Sequence, residues 1–459
     1  MKTSTKLTAV LLMASMLLIS VLASCGNADK NAASQLVLNE HSAEWVESIE
    51  HIKNQYPSAA VGEFEFISEN EWMSQLDELK EKIQSETMTD NDIYYSIMEI
   101  MAQIKNGHTS MTCPYLKNEY VPIMLEYIDG RFYIIAAIEE YSDLIGKELV
   151  SVNGHAVSEI FEAYSRTYSY ENEQFLYAKL YSTPISHDLL VYAGIAEDGA
   201  ASAVLETPDG TAEVKIASYN AYVNGEYNIV SIDQQYDSAS FTNSIPDGQT
   251  SIYWYNLDKE NRAYYFQFNS FIDRNNYYGS LYVYNKEDEY SEADAAMYPV
   301  FSEFAAEMFD DMQANDAEFD KVVIDLRKNM GGYYNMFYSE FRKYENYLKD
   351  KEILVLIDDV TFSAAISACE YLYATYGAKF VGSETSGAIG GYTSVESFTL
   401  RGTGCVLSYS TVKFDECKSL RQRQDNEYDG VKPDVSVYRT IEDYINGYDR
   451  VYLTAVGAQ

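Results

Sequence analysis

The sequence predicts an α/β protein, with a parallel-sheet core in its C-terminal half behind a helical region and a β-rich middle. Three observations predict it. Three short apolar runs, Lys321–Leu326, Glu352–Asp358 and Ala378–Gly382, are rich in β-branched or aromatic residues and bounded by turn residues or charges, so they read as strands. Two amphipathic runs, 333–348 and 363–376, lie between them as helices, and strand–helix–strand–helix–strand implies a parallel sheet with right-handed crossovers. Function in such a sheet lies beyond the carboxyl ends of its strands. All three ends carry unusual residues: Asp325-Leu-Arg-Lys-Asn-Met-Gly-Gly332, Asp359-Val-Thr-Phe-Ser-Ala-Ala365 and Gly382-Ser-Glu-Thr-Ser-Gly387.

The chain has 459 residues, more than one domain by length and enough for a large core. Hydrophobic residues make up 47%, which excludes a disordered chain. The net charge of −38 argues against nucleic acid or anionic lipid headgroups as partners, and solubility of an extracellular protein accounts for it. Residues 1–24 form a targeting segment, with Lys2 and Lys6 ahead of the apolar run Leu7–Leu22 and then Leu22-Ala-Ser-Cys25. The pattern resembles a bacterial lipoprotein signal, which implies lipid on Cys25, a membrane anchor and a place in the cell envelope. A plain secretory signal is the alternative. Residues 25–39 read as a tether. The other cysteines, Cys113, Cys369, Cys405 and Cys417, match no metal spacing and read as buried thiols, with Cys405–Cys417 the one pairing suggested by neighbouring strands.

Residues 40–115 read as helical. Ser68-Glu-Asn-Glu71 and Thr89-Asp-Asn-Asp92 are capping patterns, and Ile93, Ile97, Ile100, Met101 and Ile104 fall on one helical face. That helix is expected to stop at Asn106-Gly107, immediately before His108. Residues 116–250 read as a β module with its own extension. Leu144-Ile-Gly-Lys-Glu-Leu-Val-Ser-Val-Asn-Gly154 resembles a strand–turn–strand of PDZ domains, against the simpler reading of a hairpin with an Asn-Gly turn. His155 falls in that turn, at the surface. Tyr164–Leu180 reads as helix and 201–216 as a hairpin around Asp209-Gly210. The core occupies 251–459, with Arg262–Phe271 as its first strand and 293–314 as a helix feeding Lys321.

Ser363 stands where a strand turns into a helix. Serine there is a favoured N-cap. It is also an exposed hydroxyl beside backbone N–H groups that have no helical partner and can stabilise an oxyanion. Asp-Leu-Arg-x-Asn-x-Gly-Gly, then Thr-x-Ser-Ala-Ala, then Val-Gly-x-Glu-Thr-x-Gly, and finally Gly-Val-x-Pro-Asp at 430–434, resemble the C-terminal processing, or tail-specific, peptidase family, which includes the tricorn protease core. The resemblance covers roughly 250–437 and implies a crotonase/ClpP-like core. It implies Ser363 as nucleophile, with the N–H of Ala364 and of Gly331 or Gly332 as the oxyanion hole. The tricorn branch places a catalytic histidine after N-terminal helices, which points to His108 in Gly-His-Thr. It also implies Glu427, three residues before Gly430, as the third catalytic group. Tricorn carries serine before that histidine, whereas this chain has Gly107. The lysine-dependent branch is disfavoured, because Gly387 is followed by Ala388 and no lysine occurs between Lys379 and Lys413.

The reaction so implied is peptide-bond hydrolysis through an acyl-enzyme, on a peptide or protein substrate, with no metal or cofactor. An ordinary histidine would give an acid limb near 6.5. The competing class is a non-catalytic binder on the same fold. An acyl-CoA enzyme is weaker, for want of a basic patch for the CoA phosphates.

Overall fold

The computed structural model describes residues 38–458, apart from 63, 219–220, 222–224, 239, 284–285, 287–288, 415–416 and 425. The signal segment, Cys25 and most of the tether lie outside the described residues. Among the described residues no helix is long and apolar enough to cross a membrane.

Among the described residues three helices come first: α1 (Ser42–Ala59), α2 (Glu69–Ser85) and α3 (Asp90–Ala102). The Ser68 side chain caps α2, and a reciprocal capping box between Thr89 and Asp92 starts α3, as the spacing predicts. Their apolar faces meet through Trp45, Ile49, Trp72, Leu76, Ile97 and Met101. The last helix ends at Ala102, four residues ahead of the expected Asn106. Lys105 takes the left-handed turn (φ 60°), and the Asn106 N–H leaves the helix to donate to Ser169 Oγ at 2.8 Å. A short strand, β1 (Ser110–Thr112), follows.

The middle region holds β2 (Ile123–Ile128) and β3 (Arg131–Ile138), an antiparallel pair with a bulge at Met124/Leu125. The Asn153-Gly154 turn joins Ser151–Val152 to His155–Ala156 as a two-residue hairpin, and 202–215 forms the second expected hairpin. The helix expected over 164–180 is two helices, α4 (Val157–Thr167) and α5 (Gln174–Ser182). Between them the Asn172 side chain accepts from Phe175 N–H and donates to the Thr385 carbonyl, which holds the chain out of helical register.

The core sheet has six strands. In chain order these are β4 (Tyr253–Asp258), β5 (Ala263–Phe268), β6 (Lys321–Asp325), β7 (Glu352–Ile357) and β8 (Lys379–Gly382), with a two-residue edge strand, Val435–Ser436, beyond β8. They lie side by side in that order, and only β4–β5 is antiparallel. Side chains alternate between faces. Phe266, Ile324 and Val355 face a core completed by α6 (Phe301–Ala314), α7 (Tyr334–Phe341) and α8 (Ala364–Tyr376). Tyr265, Val323 and Leu356 face the C-terminal helix α9 (Arg450–Val456). The helix expected over 333–348 is continuous only through Phe341. A tighter turn at Arg342–Tyr344 then lays Tyr344 flat on Phe309, with ring centroids 3.9 Å apart.

The strands β9 (Tyr392–Thr399) and β10 (Val406–Lys413) do not extend this sheet. They form a separate hairpin on which β1 pairs antiparallel, with Ser110 opposite Ser408 and Thr112 opposite Val406. Leu400, Cys405, Leu407 and Tyr409 complete the core of the N-terminal helices. The same arrangement bears out the reading of buried thiols and leaves Cys405 apart from Cys417: Cys405 neighbours Cys113 at the β1–β10 contact, and Cys417 neighbours Cys369. All four thiols are free and buried.

Candidate active site

The motif residues build a scaffold before they build a site. Asp325, at the end of β6, is fully buried and accepts from the Arg327 guanidinium and the Tyr265 hydroxyl (2.7 Å). Arg327 reaches on to Asp449 at the start of α9 (2.8 Å). Asn329 is a clamp between three segments. Its Nδ2 donates to the Phe268 carbonyl (2.6 Å), its Oδ1 accepts from Gly331 N–H (2.8 Å), and its carbonyl accepts from Phe362 N–H (2.9 Å). Asp358 Oδ1 accepts from the N–H groups of Lys328 and Val360. The Gly331 loop and the Ser363 turn are therefore fixed to one another by buried hydrogen bonds.

Ser363 does not cap its helix. Its backbone sits at φ 54°, ψ −118°, and its side chain makes no capping hydrogen bond. A non-glycine residue held there is strained by about 1–3 kcal/mol, and such strain concentrates at functional sites. The geometry puts the hydroxyl at the mouth of a cavity of about 1170 Å³ lined by His108, Lys179, Tyr333, Tyr338, Ser363 and Phe414 among others.

His108 Nε2 lies 3.0 Å from Ser363 Oγ, across 255 residues of sequence. Two contacts deliver it. The β1–β10 pairing starts two residues later, and His108 N–H donates to Asn106 Oδ1 (3.0 Å), which also contacts Ser410 Oγ. The ring packs on Phe362, one residue before the serine, with centroids 4.7 Å apart. Gly107 is required for closeness rather than as a helix terminator. A Cβ there would stand 2.7 Å from Glu171 Oε2 and 3.1 Å from the Phe362 ring.

Burial lowers His108 from the ordinary 6.5 to about 4, and the nearby Lys179 charge pushes the same way. The ring is neutral at pH 7, ready to accept a proton. This moves its titration well below the 6.5 expected of an ordinary histidine. Lys179, which the sequence reading passed over, is itself buried and lowered to about 8. Its signal was a charge inside the apolar run Phe175-Leu-Tyr-Ala-Lys-Leu180.

Of the two candidate glycines, Gly331 has spent its N–H on Asn329. Its contribution is space. It sits at φ 96°, and a Cβ there would meet Ser363 Cβ at 2.7 Å and Ala364 N at 2.9 Å. The N–H groups of Gly332 and Ala364 make no backbone hydrogen bond among the described residues. Glu427 is not brought to the histidine. Its side chain is 37% exposed and faces Arg421 (3.5 Å) and Lys413 (3.8 Å), while His108 Nδ1 is buried without a partner. No cluster of metal-binding side chains occurs among the described residues.

No protein-family model and no characterised protein matches this sequence. Solved structures do. Mature CPAF complexed with lactacystin aligns over 91% of this chain and 98% of its own, with TM-score 0.57 at 14% identity. Mature CPAF alone aligns over 89% and 95%, with TM-score 0.57 at 14% identity. The fold is that of CPAF. Structures of tricorn protease (91% and 36% coverage, 12% identity) and of the photosystem II D1 C-terminal processing protease (90% and 98%, 13% identity) also match, each with TM-score 0.36. The CPAF-like alignment spans nearly the whole chain, so the helical region carrying His108 and the sheet carrying Ser363 belong to one shared architecture.

Proposed function

We propose that this chain is a serine endopeptidase of the C-terminal processing family, of the type that uses histidine as base. The observation that carries the reading is the 3.0 Å contact between a neutral, buried His108 and the hydroxyl of a strained Ser363 beside unpaired backbone N–H groups. Ser363 Oγ attacks the scissile carbonyl while its proton passes to His108 Nε2. The N–H groups of Ala364 and Gly332 stabilise the oxyanion, with Gly331 keeping Ala364 N–H uncovered. The imidazolium returns its proton to the leaving amine, and water then hydrolyses the acyl-enzyme by the same relay. The sequence motifs at 325–332, 361–365 and 381–387 support the family, and the open cavity suits a peptide chain. Lipid on Cys25, a place in the cell envelope and a PDZ-like role for the 116–250 module belong to the same proposal.

The test is a peptide-library digestion with Ser363→Ala as control. Cleavage products present with the wild type and absent with the variant support the reading. Equal products from both would overturn Ser363 as the nucleophile, and none from either would favour a non-catalytic binder on this fold.

A further inference from the structure

Two buried polar atoms near Gly107 have no hydrogen-bond partner: His108 Nδ1 and Glu171 Oε2. Both belong to the neighbourhood of the reacting pair. For Nε2 to accept the Ser363 proton, the hydrogen of the neutral ring must sit on Nδ1. A buried N–H with no acceptor costs about 1–3 kcal/mol, so an acceptor is the group this ring lacks. Glu171 is delivered by the break between α4 and α5. Its Oε2 lies 2.7 Å from where a Gly107 Cβ would be, and its Oε1 lies 3.3 Å from the corresponding point on Gly391. The carboxylate is therefore wedged between the loop that carries His108 and the turn that starts β9. Glu427 lies against Gly390, on the neighbouring residue of the same turn, but it is turned to solvent and to Arg421 and Lys413.

Resting on the peptidase reading above, we infer that Glu171 is the carboxylate that holds His108 in its reactive tautomer, accepting the Nδ1–H through one bridging water. It is a positioning residue, and it also opposes the charge of the imidazolium that forms when Ser363 gives up its proton. No proton passes to Glu171 in this step: the Oγ–H bond breaks, the Nε2–H bond forms, and the Nδ1–H bond is retained. Supporting this, burial raises Glu171 from the ordinary 4.5 to about 7, so its charge is switched in the range where the enzyme would work. The titratable groups facing the pair are Lys179 from α5 and Tyr392 from β9, with Glu65 and Lys413 behind Tyr392. Of these only Lys179 is charged near the ring, and it disfavours the imidazolium, which leaves Glu171 as the compensating group.

The experiment is the pH dependence of fluorophosphonate labelling at Ser363 in the full chain, for the wild type, Glu171→Gln and Glu427→Gln. Labelling of the wild type at Ser363 is the check on the peptidase reading. If it is absent, that reading fails before this one is reached. The inference expects a wild-type rate that rises through a limb near 7. In Glu171→Gln the maximal inactivation rate constant falls by about 10²–10⁴-fold with inhibitor binding unchanged, and the limb near 7 is lost. Glu427→Gln keeps both the rate and the limb. A Glu171→Gln protein with wild-type rate and profile overturns the inference, as does loss of the limb in Glu427→Gln instead. Should Glu171→Gln not fold, the wild-type profile decides: a single limb near 4, that of His108 alone, overturns it.

Discussion

Replacing Gly331 with alanine tests whether the oxyanion site depends on backbone proximity. At φ 96° an alanine pays the left-handed penalty, about 1–2 kcal/mol. Its methyl would also stand 2.7 Å from Ser363 Cβ and 2.9 Å from both Ala364 N and the Phe362 carbonyl oxygen, none of which belongs to a flexible side-chain end. Overpacking of that kind adds about 1–3 kcal/mol, so the expected destabilisation is about 2–5 kcal/mol. Gly154→Ala is the matched control. It has φ 82° and nothing within 4 Å of a Cβ, so it carries the backbone penalty alone. Thermal unfolding of both variants separates the two contributions, and the labelling rate of Ser363 reads the site. Gly331→Ala should unfold at a lower temperature than Gly154→Ala and should label slowly, because the methyl covers Ala364 N–H. Equal stability in the two variants, with full labelling in Gly331→Ala, would refute the close approach on which the oxyanion site rests.

Two further outcomes are expected. Ser363→Gly should be more stable than Ser363→Ala by about 1–3 kcal/mol, because glycine tolerates φ 54° and no capping bond is lost in either; thermal unfolding of the two inactive proteins checks it. His108, held at about 4 against 6.5 unfolded, contributes stability that is present above pH 6.5 and lost as pH falls towards 4, by about 3 kcal/mol. The stability gap between the wild type and His108→Gln should shrink or reverse over that window. Denaturant titrations at pH 7.5 and pH 4 measure it, and an unchanged gap would contradict the buried, neutral ring.

The core strands were legible because β-branched runs bounded by turns have few other readings, and β6, β7 and β8 fall within one residue of where the sequence puts them. The Ser363 turn and the two glycines were legible through their motifs. Their division of labour was not, since only the Asn329 side chain shows that Gly331 N–H is already taken. The route by which His108 reaches Ser363 was also hidden. It depends on the β9–β10 hairpin standing apart from the core sheet with β1 paired to β10, a contact between residues about 300 apart that periodicity cannot encode. Glu171 was lost inside a pattern taken as one helix. Asn172, of a residue type that bonds its local backbone and interrupts helices and that here accepts from Phe175 N–H, was the available signal. Lys179 followed the same course, because a helical run reads as packing and its one charge as a solvated face.

The central claim is that His108 takes the proton of Ser363, and the most direct measurement is the fluorophosphonate labelling rate of the His108→Ala protein beside the wild type at pH 7.5. With the base gone and the helices, β1 and the oxyanion N–H groups left in place, the rate at Ser363 should fall by about 10²–10⁴-fold while the fold is kept. A folded His108→Ala protein that labels at Ser363 as fast as the wild type would contradict the account.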